Sequence, residues 1–225
     1  MRPLAAAILL IAIAPVTASS HQLAYTPTTT RSANAVVHLE LAARDVPGGA
    51  RTVGMVPTQS PWAGGRVRLL VLGRVESDGR EWLRVRLLQR PNRSAGWISG
   101  EHVRVVENRW RVEVSRARRI LTVRRDGRIV RRFDRIDVGR PATPTPAGLF
   151  AVAESFASEQ PGVGRWVIAL TAFSEVLHSF AGGPGLIAIH GQADGDGTNG
   201  CIALPTAAAR WLFLTVPAGT PVVVG

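Results

Sequence analysis

Apolar and polar residues alternate along several short stretches of the chain. The alternation is clearest at 82–88 and 110–114, where apolar side chains fall at every second position. A period of two is typical of strands that bury one face and expose the other. Because these runs are short and are separated by turn residues, the pattern predicts a mostly β protein.

Turn signals divide the predicted strands into two groups. In the first group, a Ser77-Asp78-Gly79 turn lies among strand-like runs and predicts a small barrel over about 50–106. In the second group, Asp126-Gly127 between two apolar runs is the strongest hairpin signal in the chain. The strands predicted in the second group are 110–114, 120–125, 128–133, 136–138, 149–153, 165–171, 186–189 and 221–224.

Three segments do not fit a regular strand pattern. Residues 19–49 are rich in Thr, Ser and Ala, and we interpret them mainly as a tether in which only 36–42 could form a strand or a short helix. Residues 141–148 contain three prolines, which remove ladder donors, so this segment is predicted to cross an edge or opening of the sheet. Residues 206–214 follow Pro205 and predict the one helix, with Thr206 as its cap.

The first 18 residues have the pattern of a secretory signal peptide. A positive end at Met1-Arg2 precedes an apolar run of 11 residues at 4–14 and a small-residue cleavage pattern at 16–18. The apolar run is shorter than the roughly 18 residues that span a bilayer, and Pro15 ends it. We therefore expect a secreted protein, active in the cell wall or elsewhere outside the cytoplasm, that keeps no stable membrane anchor after cleavage.

The chain is strongly basic. It has 27 basic residues, all of them arginine, against 16 acidic residues, which gives a formal net charge of +11. A protein of this charge can bind nucleic acid, anionic lipid or an anionic wall polymer. Because export argues against nucleic acid, we expect anionic cell wall polymers as partners.

Cys201 is the only cysteine, so its thiol is buried and inert, paired with another chain, or reactive. His190 ends an apolar run, and Cys201 follows 11 residues later across a polar, glycine-rich loop. If the loop folds back, the imidazole would convert the thiol to a thiolate and lower its pKa below about 8.5. Gly200 would let backbone N–H groups approach closely, as an oxyanion hole requires.

No metal and no cofactor are expected. The five histidines show none of the close spacings of a zinc site, and the chain has no second cysteine.

Four blocks around these residues resemble the L,D-transpeptidase catalytic domain, also called the YkuD domain. In chain order they are residues 144–150, 187–191, 198–204 and 219–222. The resemblance implies that 107–225 is a β-sandwich-like catalytic domain with one short helix near its C-terminus. It also implies acyl transfer from a peptidoglycan stem peptide through a cysteine thioester, with Cys201 as nucleophile, His190 as general base and the Gly191 carbonyl orienting the histidine.

The same resemblance implies that the Gly200 and Cys201 N–H groups are oxyanion donors. Asn199 and Ser174 would lie beside the site, although local hydrogen bonding is the simpler interpretation of Ser174. Asn199 stands where the family often has histidine, and Ala203 stands where it usually has arginine. The alternative is therefore a wall-binding module whose catalytic domain has decayed or acts only as a carboxypeptidase.

A weaker resemblance covers the first group of strands. Residues 78–85, 96–98 and 103–105 resemble bacterial SH3-like domains, which often accompany wall enzymes. This implies an SH3-like domain over 50–106, in which Trp82 and Trp97 are either core aromatics or part of a binding pocket.

Overall fold

The computed structural model describes residues 25–180, 182–192 and 195–225. The predicted signal peptide lies outside the described residues. The described residues form two β-sheets, each over its own apolar core, and one α-helix near the C-terminus. The prediction of a mostly β protein with one short C-terminal helix is confirmed.

The first sheet has seven antiparallel strands in the order β3-β2-β6-β5-β4-β1-β7. The strands are β1 (Ser32–Val37), β2 (Leu41–Arg44), β3 (Thr52–Val56), β4 (Arg68–Ser77), β5 (Arg80–Arg86), β6 (Ala95–Ser99) and β7 (Val103–Asn108). The turn predicted at Ser77-Asp78-Gly79 joins β4 to β5, with φ of 52° at Asp78 and 69° at Gly79. Two successive residues in the left-handed region match the twist of a tight hairpin.

The interpretation of 19–49 as mainly a tether is wrong for residues 32–44. All six residues of β1 are buried, and the strand pairs with β4 on one side and β7 on the other. Small residues fill the strand, so its pattern lacks the large apolar side chains that mark a central strand. Packing between its neighbours, rather than its own sequence pattern, stabilises this segment as a strand.

The second sheet has eight strands in the order β10-β9-β8-β15-β11-β12-β13-β14. They are β8 (Trp110–Ser115), β9 (Ile120–Arg125), β10 (Arg128–Asp134), β11 (Gly148–Ala157), β12 (Trp166–Phe173), β13 (Leu186–His190), β14 (Ile202–Ala203) and β15 (Pro221–Val224). Two pairs are parallel, β8 with β15 and β13 with β14, and the other pairs are antiparallel. Helix α1 (Thr206–Thr215) packs against β12 and β13.

Most local predictions in this domain are confirmed, and two are wrong. The Asp126-Gly127 hairpin joins β9 to β10 with φ of 53° and 77°. Residues 136–138 form no strand of the sheet, because only an isolated bridge joins Asp137 to Ala203. Thr206 does not cap α1, since Pro205 occupies the cap position and no side chain supplies a capping bond.

Helix length also bears on membrane association. Across the described part of the chain, we find no helix with the length and apolar character needed to cross a bilayer.

A buried polar network joins the two domains. Asn34 of β1 is 2% exposed and donates from Nδ2 to the Gly219 carbonyl oxygen at 2.7 Å. Asn108 donates to Asn34 Oδ1 at 2.9 Å and to Thr220 Oγ1 at 3.1 Å. Buried polar groups that satisfy one another in this way fix relative orientation, because breaking one bond leaves a desolvated partner.

Candidate active site

The parallel pairing of β13 with β14 brings the two candidate residues together. Ile189 lies opposite Ile202 and His190 opposite Ala203, so the intervening loop returns the chain to the same end of β13. His190 is the last residue of β13, and Cys201 immediately precedes β14. The predicted return of the glycine-rich loop is therefore what the structure shows.

Cys201 and His190 line two adjoining volumes of one cleft. The first, of about 230 Å³, is also lined by Arg140, Ser174 and Asn199. The second, of about 360 Å³, is lined by aromatic side chains that include Trp62 of the N-terminal domain, Phe156 and Phe180. The thiol thus borders both volumes.

His190 is held in one tautomer by its neighbour. Its Nδ1 atom donates to the Gly191 carbonyl oxygen at 2.6 Å, and because a carbonyl only accepts, the neutral ring keeps its proton on Nδ1. Nε2 then carries the lone pair that a general base needs. Burial lowers the pKa of His190, although the carbonyl groups of Gly191 and Val163 partly oppose this effect.

The surroundings of Cys201 favour its thiol form. Burial raises the pKa of the Cys201 thiol, and the Ala188 N–H only partly counters that effect. Among the described residues, Sγ is hydrogen-bonded to the Leu186 carbonyl at 4.0 Å and not to the imidazole. Burial disfavours charge on both groups and so opposes the expected thiolate–imidazolium pair, which stays a prediction.

Thr198 shapes the turn that presents the nucleophile, and sequence reasoning missed it. Its hydroxyl donates to the Cys201 carbonyl oxygen at 2.5 Å and accepts from the Gly200 N–H at 3.1 Å. A hydroxyl three residues before the only cysteine, in a glycine-rich loop, is the signal that could have found it. The Gly200 N–H, a predicted oxyanion donor, is thus already hydrogen-bonded to Thr198 in this structure.

Two features of the turn require glycine at position 200, its backbone conformation and the lack of room for a side chain. Its φ is 116°, and a Cβ atom there would lie 2.9 Å from Ile187 Cδ1. Any other residue would strain the turn and push against β13.

An arginine from another element lies beside Asn199. Asn199 is exposed and accepts from Arg140 Nη1 at 3.4 Å, while Arg140 Nε donates to the Asp196 carbonyl oxygen at 3.0 Å. Ala203 is 2% exposed and lines the same cleft. A guanidinium is therefore present at the cleft, although not at position 203.

Ser174 lies in the cleft wall and is 2% exposed. Its Oγ accepts from the N–H groups of Val176 at 3.3 Å and Leu177 at 2.9 Å. These bonds organise the chain that follows β12, as the simpler interpretation of this residue anticipated.

The described residues form no cluster of three or more side chains that could hold a metal ion. Cys201 is a free cysteine.

The sequence matches the L,D-transpeptidase catalytic domain family, YkuD, over residues 109–224. The chain belongs to this family. The match covers the second domain with His190 and Cys201, and it excludes the first domain. The first domain is an antiparallel β domain, and its likeness to SH3 domains stays a prediction.

Solved L,D-transpeptidases resemble the chain at low identity. A mutant of the Enterococcus faecium enzyme is 24% identical with a TM-score of 0.38, and the match covers 52% of this chain and 49% of that one. An L,D-transpeptidase from Mycobacterium smegmatis is 14% identical with a TM-score of 0.40, over 71% and 91% of the two chains. The transpeptidase LdtMt1 in complex with imipenem is 16% identical with a TM-score of 0.40, over 69% and 98%. The chain thus spans about half of the Enterococcus faecium protein. A search of curated proteins gave no match.

Proposed function

We propose that this protein is a peptidoglycan L,D-transpeptidase that crosslinks stem peptides through a thioester on Cys201. The observation that carries the proposal is the placement of the only thiol and His190 on one cleft, at adjoining ends of two parallel strands. Membership of the family supports the same chemistry and the same substrate class.

The reaction begins with a neutral pair. Sγ attacks the carbonyl between the third residue and the terminal D-alanine of a donor stem, and its proton passes to Nε2 of His190. The imidazolium then gives this proton to the departing D-alanine amine. An amine of a second stem attacks the thioester, loses its proton to His190, and releases Cys201 as a thiol again.

The two parts of the cleft give room for two substrates. Stem peptides carry carboxylates, and the exposed Arg140 guanidinium supplies positive charge at the first volume. The second volume extends from the same thiol and gives room for the second stem.

The second candidate is a wall-binding module whose catalytic domain has decayed or releases D-alanine only to water. The protonated thiol and the occupied Gly200 N–H favour it, together with Asn199 and Ala203 at positions where the family often has other residues.

Incubation with tetrapeptide muropeptides, followed by mass spectrometry, separates these functions. A transpeptidase forms a crosslinked dimer with loss of one D-alanine, a carboxypeptidase gives the tripeptide alone, and a decayed module gives neither. Cys201→Ala should abolish both products without unfolding the protein, because the thiol forms no disulfide. Activity that persists in this variant would refute Cys201 as the nucleophile.

Imipenem provides a check that does not depend on the acceptor. Imipenem is bound to LdtMt1 in its solved structure, so the native protein should gain the mass of one imipenem on Cys201. Peptide mapping that finds no adduct, or finds it elsewhere, would favour the decayed module.

We propose further that the protein is exported, that anionic wall polymers attract its arginines, and that its first domain is SH3-like and assists binding to the wall. The formal charge of +11 supports the electrostatic part of this proposal.

A further inference from the structure

One wall of the cleft is a loop that returns close to its own starting point. We define the cleft loop as residues 174–180 and 182–185, which connect β12 to β13. The Ser174 N–H donates to the Gly185 carbonyl oxygen at 2.7 Å and closes the neck of the loop. Ser174, Leu177 and Phe180 from this loop line the cleft together with Cys201 and His190.

The Arg90 side chain of the N-terminal domain binds this neck. Arg90 Nη1 donates to the Ser174 carbonyl oxygen at 2.8 Å, and Nη2 donates to those of Leu177 and Pro184, both at 3.1 Å. The guanidinium also lies 5.1 Å from the centroid of the Phe173 ring. One cation therefore binds three carbonyls on both sides of the loop, which charge-assisted hydrogen bonds make stronger than ordinary ones.

The neck of the loop is tightly packed at Gly185. Gly185 has a φ of 70°, and a Cβ atom there would lie 2.0 Å from the Leu177 carbonyl oxygen and 3.2 Å from Arg90 Nη2. The Leu177 carbonyl that Arg90 binds is thus packed closely against Gly185.

The segment that carries Arg90 is itself fixed. Arg86 is 6% exposed and donates from Nη1 to the carbonyl oxygens of Arg93 and Ser94, while Leu87 N–H donates to Ser94 O at 3.0 Å. Asn92 bonds both backbone groups of Phe173, each at 2.7 Å, at the point where β12 ends. The N-terminal domain therefore presents Arg90 from a rigid turn.

We propose that Arg90 is a positioning residue of the active site, through which the N-terminal domain holds the cleft loop in the conformation that binds substrate. Arg90 lies outside residues 109–224, so these three hydrogen bonds to the cleft loop come from outside the part of the chain that matches the family. We call the three bonds the clamp. The inference rests on the proposed acyl transfer at Cys201.

The test compares three variants of the full chain. Arg90→Ala removes the clamp, Arg90→Lys keeps the charge on a side chain without the planar fork, and Arg104→Ala removes an exposed guanidinium of β7 as a matched control. Hydrogen exchange read by mass spectrometry reports the cleft loop directly. Its amides should exchange about tenfold faster in Arg90→Ala, to an intermediate degree in Arg90→Lys, and at the native rate in Arg104→Ala.

Acylation by imipenem supplies the functional half of the test. In Arg90→Ala the imipenem concentration that gives half of the maximal acylation rate should rise about tenfold. The maximal acylation rate should stay within about twofold of the native value, because the clamp acts on binding and not on the thiol. Arg90→Lys should recover part of this loss. A merely structural role would lower the fraction of active protein and leave the half-saturating concentration unchanged.

The outcomes are distinct. If the amides of the cleft loop exchange at the native rate in Arg90→Ala, Arg90 does not hold the loop. If they exchange faster but the half-saturating imipenem concentration is unchanged, the loop's conformation does not affect binding. Absence of acylation in the native protein would instead refute the proposed function, and exchange would still show whether Arg90 holds the loop.

Discussion

At the scale of single residues, burial of Cys201 and His190 affects which protonation state each side chain favours. Burial raises the pKa of Cys201 and lowers the pKa of His190, so the uncharged form of each group is favoured near neutral pH. In the reaction that we propose, proton transfer then accompanies attack of the thiol on the substrate. An activated thiolate would react with any electrophile, whereas a neutral thiol reacts mainly with a substrate that the cleft has placed beside the base.

The rate of alkylation by iodoacetamide should therefore rise with pH. A raised thiol pKa keeps the thiolate fraction small at pH 7, and the rate should increase about tenfold per pH unit until the pH passes that pKa. Stopped alkylation followed by mass spectrometry measures the profile. His190→Ala should leave it nearly unchanged while abolishing crosslinking. A plateau below pH 7 that disappears in His190→Ala would instead reveal an ion pair.

The Thr198 hydroxyl offers a second test at this scale. Thr198→Val keeps the shape of the side chain and removes its bonds to the Cys201 carbonyl and the Gly200 N–H. Loss of such bonds costs about 1–3 kcal/mol locally, which would loosen the turn and slow imipenem acylation by about tenfold or more. Thr198→Ser keeps the hydroxyl and should retain most of the rate. Equal rates in all three proteins would show that the turn does not depend on Thr198.

At the scale of elements, the helix after the site does not begin as its sequence suggests. Thr206 is exposed and makes no capping bond, so Thr206→Ala should change the free energy of unfolding by less than about 0.5 kcal/mol. A capping threonine would cost about 1 kcal/mol. Ala207→Gly, at an exposed position in the first turn, should cost about 1 kcal/mol and serves as the positive control in urea unfolding. If Thr206→Ala lowered the free energy of unfolding by as much as Ala207→Gly, Thr206 would have to be a capping residue after all.

Elements whose geometry is encoded locally were predictable from the sequence. Asp126-Gly127 specifies a hairpin because both residues adopt the left-handed region with little cost. β1 was not predictable, because its small residues become a buried strand only between β4 and β7. For the site, the cysteine, histidine and Gly191 contact could be anticipated from their blocks. Arg90 could not, since its three acceptors lie more than 80 residues away along the chain.

At the scale of the whole molecule, we expect the two domains to unfold together, because the buried asparagine network joins them. Asn34→Ala removes the bonds to Gly219 and Asn108 and should lower the free energy of unfolding by about 1–3 kcal/mol. Asn199→Ala, at an exposed position, should have little effect. Calorimetry should also show that Asn34→Ala and Asn108→Ala are not additive, because the two side chains share one network. Additive losses would mean that they act separately.

Charge acts over the whole surface and should be visible in binding to isolated walls. At physiological salt the screening length is about 8 Å, so pelleting with peptidoglycan should fall steeply between low and high salt. Cys201→Ala should behave like the native protein, since retention by charge needs no acylation. Pelleting that does not change with salt would point to a specific pocket, and Trp82 and Trp97 of the first domain would be the residues to replace.

The position of β15 in the second sheet has a consequence for the order in which the domain can be completed. β15 follows every other strand along the chain, yet it lies between β8 and β11. Without it, the sheet is two separate pieces, one with β10, β9 and β8 and the other with β11 to β14. A chain that crosses a translocation channel from its N-terminus therefore carries Cys201 across before residues 221–224 can join those pieces. For the exported protein that we propose, folding after translocation would then be the step that completes the catalytic domain.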